Sequence, residues 1–352
     1  MKDRTAALAA LGGVAGLWAL GRLARARRAI DFRGRHVLIS GGSRGLGLAL
    51  ARRFAAEGAR LTLLARTADD LDRARAELAR WDTDVLTIPC DVRDRAAVEA
   101  AVARAVGHHG RLDVLVHDAG LIQVGPEDHM TEADYAETMG VHFWGAYYLT
   151  EAARPHLPRD GSARVVYVSS IGGRVAVAHL APYSASKHAL TGYADAMRAE
   201  LAEEKIRVTT VTPGLMRTGS TVNAYFKGQH REEYAWFTIG NANPLLSMSS
   251  ERAAQRIVEA CRHGDASLTL TLSAKLATAA NGLAPGLVGA AMKLADRLLP
   301  DVAWGDGAAR RTGWESFSRW APSLLTRPAD RAVPRFNELR GHAPPHHGDG
   351  HR

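Results

Sequence analysis

Seven short apolar runs separated by helical stretches constrain this chain most: His36–Ser40, Leu61–Ala65, Val85–Ile88, Leu112–Val116, Val165–Val168, Ile206–Val211 and Leu268–Leu272. The intervals carry amphipathic or charged patterns such as Leu46–Glu57 and Asp69–Arg80. Short strands buried on both faces, with helices between them, predict a parallel sheet built from right-handed crossovers. No repeat of about 20–50 residues is visible, which excludes a solenoid. The expected fold class is α/β, a doubly wound parallel sheet in a single domain.

The first run opens into Ser40-Gly41-Gly42-Ser43-Arg44-Gly45-Leu46-Gly47. Glycines at such a turn permit positive backbone angles and close approach to a pyrophosphate, and the next helix start offers free amides to the anion. Following the first strand of an α/β series, this pattern predicts a Rossmann-like dinucleotide site. An NAD site places a carboxylate at the end of the second strand. Here stand Ala65-Arg66, with Arg44 in the turn. Two guanidinium forks suit a 2′-phosphate, so NADP(H) is expected over NAD(H). Asp91 and Val92 follow the third strand and are assigned to the adenine edge.

Ser170 ends the Val165 run, and Tyr183 and Lys187 stand at i and i+4 on one helix face. A phenol with a pKa near 10 is a poor proton donor at neutral pH. A neighbouring ammonium and a positive nicotinamide ring would lower that value. Tyr183 could then pass a proton to a developing alkoxide while Ser170 holds the same oxygen. Lys187 could also hold the nicotinamide ribose.

These residues resemble the short-chain dehydrogenase/reductase family over roughly residues 35–273: the glycine turn, the Ser170, Tyr183 and Lys187 set, and Val211-Thr212-Pro213-Gly214-Leu215-Met216-Arg217-Thr218. The resemblance implies interconversion of a carbonyl and a secondary alcohol. It places Pro213, Gly214 and Thr218 at the nicotinamide, and implies a homo-oligomer. Two departures stand out. The family's Asn-Asn-Ala-Gly is His117-Asp118-Ala119-Gly120, where Asp118 still accepts hydrogen bonds and Ala119 and Gly120 keep the close approach. The family's helix asparagine, tied to a proton path toward the lysine, is His142. His142 is therefore a candidate catalytic relay that would titrate near neutral pH, or a satisfied buried histidine. The same departures keep a second function open, a catalytically impaired NADP-binding sensor or scaffold at the membrane.

The segments outside residues 35–273 bear on partners. Residues 1–34 contain an uncharged stretch, Thr5 to Gly21, followed by Arg22, Arg25, Arg27 and Arg28. This suggests membrane anchoring with a cytoplasmic domain, against a secretory signal or a packed surface helix. Residues 274–340 are expected as a helical extension. Within it, Ala274 to Leu299 forms either a hairpin over the substrate cleft, a membrane-facing surface, or a packed segment. Residues 341–352 read as a disordered tail whose His342, His346, His347 and His351 could bind metal only weakly. A lid over Met216–Met248 offers Tyr225, Phe226, Tyr234, Trp236, Phe237, Leu245, Leu246 and Met248 as apolar walls, with Lys227, His230 and Arg231 for an acidic headgroup. Together these favour a small hydrophobic carbonyl or alcohol as substrate. Lys and Arg number 45 against 37 Asp and Glu, a net charge of +8. No basic-aromatic motif or recognition helix accompanies that excess, so nucleic acid is not expected. Cys90 and Cys261 have no metal-type spacing and suit a reducing compartment, and no metal site is expected in the domain.

Overall fold

The computed structural model describes residues 19–302 and 306–339. The seven apolar runs become β1 (His36–Ser40), β2 (Arg60–Ala65), β3 (Val85–Pro89), β4 (Val114–His117), β5 (Arg164–Val168), β6 (Arg207–Thr212) and β7 (Ser267–Thr269). They form one sheet in the order β7-β6-β5-β4-β1-β2-β3, and every pairing is parallel. The chain winds outward in both directions from β1 and β4, so a crevice opens above their carboxyl ends.

Eight helices follow, α1 (Gly45–Ala56), α2 (Ala68–Leu78), α3 (Arg95–His109), α4 (Glu132–Met139), α5 (Gly145–Ala153), α6 (Ala181–Glu200), α7 (His230–Ala242) and α8 (Ser250–His263); all but α7, which packs with Phe226 away from the sheet, flank its two faces. Alternate residues of each strand enter opposite cores. Val37, Ile39, Leu61 and Leu63 pack with Leu48, Phe54 and Ile257 on one side. Leu38, Leu64, Leu115 and Val165 pack with Val98, Leu149 and Leu190 on the other. Burial on both faces explains why these strands read as continuous apolar runs. The buried Arg164 guanidinium donates to the carbonyls of Cys261 and Arg28 at 2.8 and 2.6 Å, fastening the chain before β1 to α8.

The Leu268–Leu272 expectation is too long. β7 ends at Thr269, and the Thr271 hydroxyl accepts the Ala274 amide at 3.1 Å, so Leu272 begins a helix instead. That helix, α9 (Leu272–Leu283), and α10 (Pro285–Asp296) form a hairpin. It neither covers the cleft nor packs closely on the domain: Ala274 alone of its residues is buried, whereas Leu283 and Leu287 are 87% and 75% exposed. Asn281 donates to the Arg174 carbonyl at 2.9 Å, and Asp296 lies 3.7 Å from His179, tethering the hairpin beside the loop before α6.

Past α10 the extension departs from the helical expectation. Arg311–Thr312 pairs antiparallel with Tyr225–Phe226, and two single-turn helices lead residues 327–339 back over the start of α1. These residues complete a third apolar cluster of Phe226, Tyr234, Phe237, Phe317 and Val333. The chain is also helical over 19–27, where Arg25 donates to the Asp265 carboxylate through bonds of 2.9, 3.1 and 2.8 Å. No described helix is long and apolar enough to cross a membrane. Most of the stretch Thr5 to Gly21, and residues 341–352, lie outside the described residues.

Candidate active site

A cleft of about 390 Å³ runs along the carboxyl ends of the central strands. The glycine turn after β1 forms its floor. Gly41 has φ of +75°, and a β-carbon there would stand 2.8 Å from the Ala119 amide. At Gly47 a β-carbon would lie 2.1 Å from the Gly41 carbonyl. The turn therefore needs glycine for its own packing as well as for a ligand's approach. Ser40 and Gly47 lie beneath the floor. The Ser40 hydroxyl accepts the Ala119 amide at 3.3 Å and bonds His117 Nδ1 at 3.0 Å, joining β1 to β4.

The other sequence candidates line the cleft: Gly41, Ser43, Arg44, Gly45 and Leu46 from the turn; Arg66, Asp91 and Val92 beside β2 and β3; Asp118, Ala119 and Gly120 after β4; then His142, Ser170, Tyr183, Lys187, Pro213, Gly214 and Thr218. Arg66 sits exposed at one end, and Arg44 donates to Asn223 at 3.1 Å. Burial works against the Asp91 charge, but hydrogen bonds from Arg93 and the nearby Arg66 hold its carboxyl below the usual range. Gly214 cannot carry a side chain, because a β-carbon would meet Thr271 Oγ1 at 2.1 Å.

At the far end stand Ser170, Tyr183 and Lys187. The Gly172 amide donates to Ser170 Oγ at 3.1 Å, which leaves the serine proton for another partner. Lys187 Nζ donates to the Val168 carbonyl at 2.9 Å and lies 5.9 Å from the centre of the Tyr183 ring. Burial pushes the tyrosine hydroxyl up to about 12, against a smaller lowering by its hydrogen bond with Ser170. The sequence expectation of a lowered phenol is thus reversed for the polypeptide alone. Desolvation exceeds any help from Lys187, whose charge also answers Asp118. Burial raises the Asp118 carboxyl and lowers the Lys187 ammonium, and each partly offsets the other.

His142 has the surroundings of the second of its two readings, a satisfied buried histidine. It lies in the π-helical turn Gly140–Trp144 between α4 and α5. Its Nε2 accepts the Leu121 amide at 3.2 Å, which leaves Nδ1–H to meet Ser186 Oγ at 2.7 Å. Burial, with Lys187 and His117 nearby, keeps its pKa well below 6.5, so it does not titrate near neutral pH. Both ring nitrogens are engaged in holding the loop after β4 against α6. His117 is likewise buried, and its pKa falls to about 3.

The lid divides. Trp236 and Phe237 line the cleft, whereas Phe226 and Tyr234 are core. Tyr225 stacks with Arg310 at 4.0 Å. Leu245 is exposed, and Met248 leans on the sheet core. Lys227 offers no charge to a headgroup, since Asp134 binds it in the interior at 2.5 Å.

Sequence reasoning missed Glu338. Its carboxylate lines the cleft above the glycine turn and accepts the Gly219 amide at 2.6 Å, while Phe336 accepts the Gly45 amide at 3.0 Å. No local pattern announces this residue, because it arrives from 293 positions beyond Gly45 through the fold of the extension. Burial raises its pKa from 4.5 to about 8, against a smaller lowering by Arg44. The native state therefore keeps a proton that the unfolded chain loses. The stability this lends is complete below pH 4.5 and lost as pH rises through about 8. A diphosphate on the glycine turn would favour the neutral acid further, because its negative charge repels the carboxylate. Cofactor affinity should fall as pH rises through about 8, and Glu338→Gln should flatten that slope in a fluorescence titration; an unchanged slope would assign it elsewhere.

A family model described as short chain dehydrogenase matches residues 35–227. A dehydrogenase/reductase SDR family member 7B of Mus musculus is 30% identical, over 82% of this chain and 89% of its own length. A dehydrogenase/reductase SDR family protein 7-like of Anopheles gambiae is 35% identical, over 64% of this chain and 73% of its own. Among solved structures, a dehydrogenase/reductase from Sinorhizobium meliloti 1021 superposes with a TM-score of 0.62 at 29% identity, covering 70% of this chain and 97% of that one. With these likenesses added to the parallel sheet and its cleft, the chain belongs to the short-chain dehydrogenase/reductase family of NAD(P)-dependent oxidoreductases.

Proposed function

We propose that this protein interconverts a hydrophobic ketone and its secondary alcohol with NADP(H), at a membrane surface. The observation that carries this reading is one continuous cleft with Arg44 and Arg66 toward one end and Ser170, Tyr183 and Lys187 toward the other. Arg44 and Arg66 would hold a 2′-phosphate, the glycine turn the diphosphate, and Lys187 the nicotinamide ribose. The bound nicotinamide supplies or accepts the hydride. Tyr183 gives or takes the proton at its hydroxyl, and Ser170 orients the substrate oxygen. His142 acts as a positioning residue. Leu121, Ile122, Val177, Leu180, Trp236 and Phe237 line the cleft and would exclude water around an apolar substrate. Full-length protein supplied with NADPH should turn over ketones increasingly well as their apolar chain lengthens. No NADPH consumption across the series, or a preference for small polar ketones, would refute the substrate assignment.

Membrane association is supported by the exposed leucines of α9 and α10, among them Leu276, Leu287 and Leu294, together with the uncharged Thr5 to Gly21 stretch. Deleting residues 5–21 should move most of the protein to the soluble fraction on cell fractionation; unchanged partitioning would overturn the anchor. A homo-oligomer fits the aromatic face of Trp144, just before α5, with Tyr147 and Tyr148 on α5 and Tyr193 on α6, where Trp144 is half-exposed.

A further inference from the structure

The cleft lies at the carboxyl ends of the strands. A second cluster lies where β3 begins and α3 ends, at the opposite edge of the sheet. Asp84 immediately precedes β3, and His108 and His109 close α3. One ligand atom from each falls within 4.8 Å of the others. Asp84 Oδ2 stands 3.0 Å from His108 Nε2 and 3.3 Å from His109 Nδ1. Four ligands tetrahedrally bound at about 2.0–2.1 Å stand roughly 3.3 Å apart, so both separations suit two edges of such a site.

His109 is what points to a cation. Its side chain is wholly buried. Its Nε2 meets the Leu61 carbonyl at 3.2 Å, which places the ring proton there and leaves a lone pair on Nδ1. That Nδ1 has no hydrogen-bond partner, because Asp84 lies outside hydrogen-bonding geometry. A buried lone pair set against a carboxylate oxygen costs free energy unless something positive stands between them. A backbone carbonyl gripping the far N–H of an imidazole is also how proteins orient a metal-bound histidine. The ring is held from behind by His36, 4.1 Å away, whose own nitrogens meet the Arg111 carbonyl and Thr62 Oγ1. His36 therefore supports the site without competing for the ion.

We propose that Asp84, His108 and His109 form a structural site for one divalent cation of the zinc class, with water as the fourth ligand. The ion would tie the edge strand β3 to the end of α3, far from the reacting atoms. Two adjacent histidines and an aspartate 24 residues earlier make no recognisable motif, so folding alone brings the site together.

The test uses the full chain, untagged, with His342, His346, His347 and His351 replaced by alanine so that the tail cannot bind. Zn²⁺ is titrated against a chromogenic chelator, and Co²⁺ is followed by its visible absorption. The expected result is one equivalent bound, with the intense bands of tetrahedral Co²⁺ and a raised melting temperature. Asp84→Asn and His108→Ala, both at exposed side chains, should each weaken Zn²⁺ binding by at least about tenfold. NADPH affinity should stay unchanged in both, which verifies the fold. No saturable binding in the tail-substituted chain would overturn the site, as would unaltered binding in both variants; either result would leave a plain ion pair.

Discussion

Tyr183→Phe is expected to lower turnover by about 10²–10⁴-fold, the usual contribution of a positioned acid–base group, while NADPH binds as before. The substitution removes one oxygen and leaves the ring, which packs edge-on against His142 at 5.5 Å, so the wall of the cleft survives. Stopped-flow reduction of a hydrophobic ketone separates the two effects, because binding and hydride transfer are read in successive phases. Wild-type turnover in the variant would assign the proton to another group. Loss of cofactor binding along with turnover would make the effect structural.

Replacing Arg44 and Arg66 together by methionine should weaken NADPH by roughly 10²-fold, taking about 1.5–3 kcal/mol for each charge-assisted bond and discounting for exposure. NADH should change by no more than about threefold, since only the 2′-phosphate distinguishes the two. Arg44 also donates to Asn223, whose amide donates to the Glu338 carbonyl at 3.0 Å. A general loosening of this corner would therefore weaken both nucleotides. Equal losses in parallel titrations would count against 2′-phosphate recognition, and selective loss of NADPH would support it.

The sheet was legible because its signal is local and repeated. β1 matches its apolar run residue for residue, and the other strand ends shift by no more than two residues, except the end of β7, which shifts by three. Their alternate residues enter two cores, so a plain apolar run carried the assignment without any register argument. That the candidates from Gly41 to Thr218 would line one cleft was legible because their motifs keep short spacings beside the strand ends. What escaped depends on contacts between distant residues. The neutralisation of Lys227 needs Asp134, 93 positions away. The choice between the two readings of His142 needs Leu121 and Ser186. Glu338 reaches the glycine turn only because residues 327–339 fold back over α1. Spacing reveals the Lys187 charge beside Tyr183, whereas the burial that raises the phenol in the protein alone depends on the whole fold.

The ultraviolet titration of tyrosinate, with and without NADP⁺, tests the central claim most directly. Within the protein alone the Tyr183 hydroxyl stands at about 12; the positive ring of the oxidised cofactor should bring it down toward neutrality. Addition of NADP⁺ near pH 9 should therefore produce about one equivalent of tyrosinate absorption in the wild type and none in Tyr183→Phe. Identical spectra from the two proteins would contradict the account, because the phenol at position 183 would then not respond to the charge it is said to serve.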